Sequence, residues 1–289
     1  MKIAVFMGGI STEREVSLKT GSAVLNSLIR QGYEAYGVNL TNENLVTSFI
    51  ENEYDIAFLS LHGGCGEDGR VQGLLDLLGK KYTGSQAAPS TVAMDKIITK
   101  KIADSLGIKI PKTYTNKEEI DKFPIVIKPS KEGSSTGLYI CKDMEDVEEA
   151  LESLSNRSVI IEEYIKGVEL TAGVLDGEAL GVLKIIPHDG IYNYESKYTG
   201  GKTEYEYPAK ISAEAYENAM RNAKLIHDEL KLSGASRSDF ILCNDKVYFL
   251  EVNTCPGMTE TSLLPKLATL KNYTFDDVVK KIIFTSHKK

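Results

Sequence analysis

Two short segments near the C-terminus carry the densest chemistry in the chain, Arg237-Ser238-Asp239 and Glu251-Val252-Asn253. Each pair of polar residues is spaced i, i+2, which puts both groups on one face of a strand. A three-residue turn at Asn244 to Lys246 would set Asp239 opposite Glu251 and Arg237 opposite Asn253, gathering all four. A two-residue turn would shift the register and send the acids to opposite faces. Two carboxylates and an amide carbonyl are hard oxygen donors, suited to Mg²⁺ that keeps water and phosphate ligands. Arg237 beside them would stabilise developing negative charge. Cross-strand salt bridging is the competing use of these residues; Asn253 and the Pro256-Gly257 loop favour the metal.

A second candidate is Lys128 to Gly137, where a strand delivers a lysine into a loop rich in Gly, Ser, Thr and Pro. Backbone N–H groups of such a loop close over phosphates while lysines neutralise charge, although a solvated hairpin loop has the same composition. Near the N-terminus, Gly8 to Ser17 reads as a strand-to-helix turn with a capping box from Thr12 to Glu15. Capping explains Glu15 but leaves Glu13 for a substrate ammonium or for the helix dipole. His62 follows a buried strand, where a structural histidine is the default. Two motifs mislead. Gly64 to Gly69 fits G-x-G-x-x-G, but Glu67 and Asp68 would repel a pyrophosphate and no ribose-binding acid follows at the required distance. Gly200-Gly201-Lys202-Thr203 lacks the earlier glycine and the strand-loop-helix setting of a P-loop.

The elements that must position these groups fall into two patterns. The first third alternates apolar strands (Ile3 to Met7, Ala35 to Leu40, Asp55 to Leu61, Lys81 to Thr83) with helices at about Glu13 to Arg30, Asn44 to Glu51 and Val71 to Leu78. Such alternation predicts a doubly wound parallel sheet whose ligands lie beyond the carboxyl ends of its strands, at Gly8 to Glu15 and His62 to Gly69. After a helix running to about Leu106 the order becomes α+β. It comprises strands at Ile125 to Lys128, Leu138 to Cys141 and Val159 to Glu163, a helix at Asp143 to Leu154, and a hairpin at Leu170 to Ile186 turning at Asp176-Gly177. The segment His188 to Lys210 is too long for an ordinary connection and reads as a functional loop. A helix at Ala213 to Leu230, the hairpin Ser236 to Val252 and a final helix complete the chain. The fold class is α/β throughout.

Composition narrows the partners. The 289 residues are 42% hydrophobic and 26% charged, an ordinary globular balance that excludes disorder and coiled coil. Basic side chains number 34 against 41 acidic, net −7, which disfavours nucleic acid. No stretch reaches the ~18 uncharged apolar residues of a membrane span, so a cytoplasmic protein is expected. Four scattered cysteines without a C-x-x-C pattern indicate reduced thiols.

Taken in chain order, the set resembles the D-alanine-D-alanine ligases, members of the ATP-grasp superfamily. The resemblance is carried by Gly8-Gly9 with Glu13 to Ser17, His62-Gly63 with Gly66 to Gly69, and Met94-Asp95-Lys96. Further matches are Lys128-Pro129 with Glu132 to Ser135, Glu195 with Lys197-Tyr198, Arg237 with Asp239, and Glu251 to Thr254 with Pro256 to Thr259 and Ser262-Leu263. It implies an N-terminal Rossmann-like unit (1–85) and two ATP-grasp units (86–162 and 163–289), with ATP between the latter two.

In that picture Lys96 and Lys128 contact phosphates, Ser134 and Ser135 belong to the closing loop, and Glu162, Glu163, Tyr164 and Ile165 line the adenine pocket. Glu169 meets the ribose, and Asp239, Glu251 and Asn253 hold two Mg²⁺ ions, with Mn²⁺ as a substitute. Glu13 anchors the first ammonium, beside the substrate-binding positions Val16, Ser17, His62 and Gly257. Arg237 stabilises the oxyanion, and Ser262 with Leu263 holds the second carboxylate. Lys197 and Tyr198 lie on the loop that excludes water; Tyr198 matches ligases taking D-alanine as second substrate, with D-lactate or D-serine as the alternatives. The resemblance also implies a homodimer working in peptidoglycan precursor synthesis. Two positions depart from the family: Cys255, where many members have serine, and Ile191, where an aromatic often packs on adenine.

Overall fold

The computed structural model describes residues 1–134, 136–188, 203–259 and 262–286. Its first sheet comprises β1 (Lys2–Gly8), β2 (Glu34–Leu40), β3 (Ile56–Leu59) and β4 (Lys81–Tyr82), all parallel, in the order β2-β1-β3-β4. β1 and β3 are apolar on both faces and buried on both, as strands covered by helices must be. Helices α1 (Arg14–Arg30), α2 (Thr47–Glu51) and α3 (Arg70–Leu77) connect them. On one face Phe6 stacks on Phe49 at 4.3 Å between ring centroids.

α1 covers the other face through a stripe of small residues, Ser17, Thr20, Gly21, Val24, Ser27 and Leu28, spaced three and four apart. The helix lies so close that a Cβ on Gly21 would meet Met7 Cβ at 2.5 Å. Gly21→Ala improves helix propensity by about 1 kcal/mol, but overpacking costs about 1–3 kcal/mol. The expected net effect is a loss of up to about 2 kcal/mol, read from urea denaturation midpoints; a more stable variant would show that α1 can back away from β1.

Helices α4 (Ala87–Met94) and α5 (Lys96–Ser105) stand where one continuous helix was expected. The break is at Asp95, which is extended and whose carboxylate accepts the N–H groups of Ile97 and Ile98 as the cap of α5. The second sheet is antiparallel, β5 (Thr113–Tyr114), β6 (Ile125–Pro129), β7 (Tyr139–Cys141) and β8 (Val159–Glu163) in the order β5-β8-β6-β7, with α6 (Met144–Ser153) packed on β6 and β7. β5 is two residues long, too short to leave an alternating pattern in the sequence.

The third sheet comprises β9 (Val168–Leu175), β10 (Glu178–Pro187), β11 (Thr203–Glu206), β12 (Ala235–Cys243) and β13 (Lys246–Asn253) in the order β11-β10-β9-β12-β13. The β9–β10 turn is the expected one, with positive φ at both Asp176 and Gly177. β11 corrects the reading of 188–210 as loop throughout, because its last part pairs antiparallel with β10. α7 (Ala213–Glu229) packs on the sheet, and α8 (Leu263–Thr269) and α9 (Phe275–Ser286) close the chain. One core joins the first and third sheets: Ile3, Val5, Val24 and Leu28 pack in a cluster with Leu183, Leu264, Val279 and Ile283. Asp276 of α9 reaches α1, bonding Ser27 Oγ at 2.6 Å and Arg30 at 2.7 Å. Among the described residues no helix is long and apolar enough to cross a membrane.

Candidate active site

The β12–β13 hairpin reaches the anticipated pairing by another route. Its turn has two residues, Asn244 and Asp245, both at positive φ, with Cys243 paired to Lys246. That register alone would separate the acids. A bulge then shifts the register between Asp239 and Phe240, leaving Leu250 as the extra residue and restoring Asp239 opposite Glu251 and Arg237 opposite Asn253. Arg237 grips Asp239 through two nitrogens, at 3.0 and 2.9 Å, and Thr171 of β9 donates to the same carboxylate at 2.6 Å. Asn253 Oδ1 accepts the backbone N–H of Cys255 at 2.8 Å.

Two cavities meet at this hairpin. One, of about 450 Å³, lies between the second and third sheets and is lined by Lys128, Glu162, Glu163, Tyr164, Ile165, Glu169 and Asp239. The other, of about 350 Å³, lies beyond the carboxyl end of β1 and is lined by Glu13, Val16, His62, Ser134, Arg237, Asn253, Gly257, Ser262 and Leu263. Lys96, Glu132, Gly133 and Glu251 line both. The Lys96 ammonium, at the start of α5, donates to the Glu132 carbonyl at 2.6 Å and lies 3.2 Å from the Glu251 carboxylate.

Deeper in the larger cavity Glu162 is sandwiched by two lysines, 2.6 Å from Lys128 Nζ and 2.5 Å from Lys100 Nζ. Burial alone would raise the Glu162 pKa, but the two ammonium groups hold it at about 2. Burial, with Lys128 nearby, lowers Lys100 to about 8 despite its carboxylate partner. Burial also works against Lys128, yet Glu162 and Glu251 leave its pKa raised.

In the smaller cavity Glu13 is the N-cap residue of α1, yet its carboxylate caps nothing. The expected capping box from Thr12 to Glu15 is therefore absent, because the helix starts one residue later. The side chain is 8% exposed and accepts a hydrogen bond from the Ser134 hydroxyl, so the N-terminal unit and the Lys128 loop touch across the cavity. Gly63, at φ +68°, leaves this approach open; a Cβ there would meet Glu13 Oε2 at 2.7 Å. Ser262 is the N-cap residue of α8, but its hydroxyl makes no bond to the helix and instead accepts the Thr259 N–H at 3.0 Å. Burial opposes charging of His62, but Cys255 and Glu67 beside the ring raise its pKa to about 10.

One expected contact fails. Ser17 is fully buried, its hydroxyl accepting from Gly8 N–H at 2.8 Å and donating to Ser60 O at 2.7 Å, so it ties α1 to β1 and does not reach the cavity. Ser135, Lys197, Tyr198 and Ile191 lie outside the described residues. Sequence reasoning missed Lys100, although it stands one helical turn after Lys96 in an amphipathic stretch. It also missed Thr171 and Tyr205, and gave Glu132 no role beyond its place in the motif; Tyr205 lies in β11 and lines the smaller cavity, and only the alternation of that four-residue strand could have revealed it.

Family models described as D-ala D-ala ligase C-terminus and D-ala D-ala ligase N-terminus match residues 98–284 and 43–85. Over 286 residues the chain is 58% identical to a D-alanine--D-alanine ligase of Fusobacterium nucleatum, covering 99% of both chains. It is 44% identical over 295 residues to one of Aquifex aeolicus, covering 98% of this chain and 100% of that one. Among solved structures, the ATP complex of a Bacillus anthracis D-alanine--D-alanine ligase superposes with a TM-score of 0.87 at 34% identity, covering 100% and 98% of the two chains. The VanG D-Ala:D-Ser ligase of Enterococcus faecalis gives 0.85 at 29% identity over 99% of each.

Proposed function

Since the chain belongs to the D-alanine-D-alanine ligase family, with its ATP-grasp fold, we propose that it joins two D-alanines in an ATP-dependent, ADP-forming reaction that feeds peptidoglycan synthesis. The observation that carries this reading is the pair of cavities sharing the wall of Lys96, Glu132, Gly133 and Glu251. A nucleotide in the larger one would aim its phosphates at amino acids held in the smaller.

A free carboxylate is a poor electrophile. In the first step an oxygen of the first D-alanine's carboxylate bonds the γ-phosphorus of ATP and the bond to ADP breaks, giving an acyl phosphate. The amine of the second D-alanine then attacks the acyl carbon, loses a proton and expels phosphate. Protein groups contribute position and charge rather than covalent chemistry. Glu13, acidic and largely enclosed, takes the first ammonium; Lys96 and Lys128 take phosphate charge; Arg237 faces the oxyanion; Ser262 and Leu263 take the second carboxylate. Ser134, joined to Glu13, closes the loop over the seam, with Ser135, Lys197 and Tyr198 as its proposed companions. The adenine end falls to Glu162 through Ile165, and the ribose to Glu169.

The donor set at the seam fits a hard divalent cation: Asp239, Glu251 and Asn253 bring only oxygens, and the two carboxylates already draw the cationic Arg237 and Lys96. These three residues would hold Mg²⁺, or Mn²⁺ in its place, which when bound neutralises phosphate charge. Glu251→Gln keeps the shape but removes one charge, and should raise the Mg²⁺ concentration for half-maximal turnover at least about tenfold, equivalent to ~1.4 kcal/mol. An unchanged Mg²⁺ titration would remove Glu251 from the metal shell. We extend the reading to a cytoplasmic homodimer acting without nucleic acid or membrane, organised as units 1–85, 86–162 and 163–289.

The direct test is phosphate release from ATP and Mg²⁺ with and without D-alanine, with the product identified by mass. D-alanine-dependent release yielding the dipeptide supports the reading. Preference for D-serine or D-lactate in a substrate panel would replace the second substrate, and bound ATP without release would overturn the reading.

A further inference from the structure

At the edge of the smaller cavity stand three side chains to which the reaction above gives no joint role. His62 follows β3, Glu67 follows a short 3₁₀ turn at Gly64–Gly66, and Cys255 lies two residues beyond β13. One ligand atom from each lies within 4.8 Å of both others. We propose that His62, Glu67 and Cys255 form a binding site for a thiophilic divalent cation, of which Zn²⁺ is the representative.

The donor types carry the selectivity. Imidazole nitrogen and thiolate sulfur favour Zn²⁺ over Mg²⁺, whereas Asp239, Glu251 and Asn253 offer oxygen alone. The arrangement is close to what a tetrahedral ion requires. Metal–ligand bonds of ~2.0–2.3 Å imply ligand separations of about 3.3–3.6 Å, and His62 Nδ1 lies 3.7 Å from Glu67 Oε1. The ring is already oriented. Its Nε2 is 2.9 Å from Thr20 Oγ1, a hydroxyl itself held by the Met258 N–H at 3.4 Å, so the ring is fixed on one side by Thr20 while Nδ1 faces the acid. Metal-bound histidines are held in this way by a partner on the second nitrogen. His62 and Glu67 line the cavity, which would supply a fourth, exchangeable ligand to an ion held by three protein groups. Binding is proton-balanced: the Cys255 thiol and, where protonated, His62 Nδ1 release their protons to solvent as the metal bonds form. An ion there obstructs the wall beside which the amino acids bind. This last consequence, inhibition by zinc, rests on the ligase reading; occupancy of the site does not.

The test titrates the enzyme with Co²⁺ as a spectroscopic substitute for zinc, with Mg²⁺ in excess to fill oxygen sites. The wild type is expected to take up one Co²⁺ per chain and develop a thiolate-to-cobalt charge-transfer band in the near ultraviolet, which Zn²⁺ then erases. Cys255→Ser should lose the band and bind Zn²⁺ at least about tenfold more weakly; Cys65→Ser should keep both. Absence of the band in the wild type, or its persistence in Cys255→Ser, overturns the proposal. In parallel, Zn²⁺ should inhibit D-alanine-dependent ADP release by the wild type, and Cys255→Ser should resist it. A cobalt band in an enzyme without D-alanine-dependent turnover upholds the site and counts against the ligase reading alone.

Discussion

Arg237→Met is expected to lower kcat by about 10²–10³-fold, the usual effect of removing a donor aimed at a developing oxyanion, while leaving the KM for ATP within a few-fold. The argument is positional. Arg237 lines the smaller cavity with Glu13 and Ser262, whereas the adenine end of the larger one is built from β8 and the residues after it. Asp239 keeps a partner in the variant, because Thr171 Oγ1 donates to it at 2.6 Å. Its carboxylate is therefore not abandoned when the guanidinium goes. Arg237→Lys keeps the charge but loses the two-pronged grip on Asp239, and should fall between wild type and Met. Steady-state ADP release at varied ATP and D-alanine separates the possibilities. If kcat and ATP affinity decline together, Arg237 is a prop for Asp239 and its role at the oxyanion is lost.

Glu162→Gln is expected to destabilise the protein by about 3–5 kcal/mol, as removal of one partner from a buried charge cluster does. Glu162 is 2% exposed and bridges two ammonium groups; without its charge Lys100 and Lys128 face each other with only the more distant Glu251 to offset them. Adding Lys100→Met should recover much of the loss, since the remaining lysine then has Glu251 nearby. Urea denaturation of the single and double variants measures this coupling, and a single variant within about 1 kcal/mol of wild type would refute it. The same cluster sets a pH dependence. Glu162 has a depressed folded pKa, so its contribution is present above its unfolded value and is lost as pH falls toward about 2. Lys100 has a lowered folded pKa, so the folded state sheds a proton first and stability gains between about 8 and the ordinary lysine range.

The parallel N-terminal sheet was legible because β1 and β3 are buried on both faces and leave unbroken apolar runs, and helix α1 because its small residues recur at helical spacing. The Arg237, Asp239, Glu251, Asn253 constellation was legible from i, i+2 spacing, but its register was not. Turn length and bulge are separate variables, and two errors that cancel give the same pairing. The start of α1 differs by one residue from the sequence pattern: no capping box forms from Thr12 to Glu15, and Glu13, the N-cap residue, turns its side chain to Ser134. Ser17 shows a different limit. A buried hydroxyl bonded to two backbone groups and one pointing into a cavity have the same letter and the same neighbours in sequence. Lys100 and Tyr205 escaped because their importance lies in long-range neighbours, Glu162 in one case and the rest of the cavity wall in the other.

The bulge at Leu250 has a consequence for how the hairpin tolerates change. β12 runs in unbroken register along β9 from Ala235 opposite Leu175 to Leu242 opposite Val168, so the offset is absorbed by β13 alone, beside the functional half. The tip and the reacting end are thus decoupled, and the length of the loop between Asn244 and Asp245 does not dictate where Asp239 and Glu251 meet. A fluorophore-bearing peptide spliced there would act as a passenger, offering a place to attach an optical reporter to the enzyme without detuning its centre.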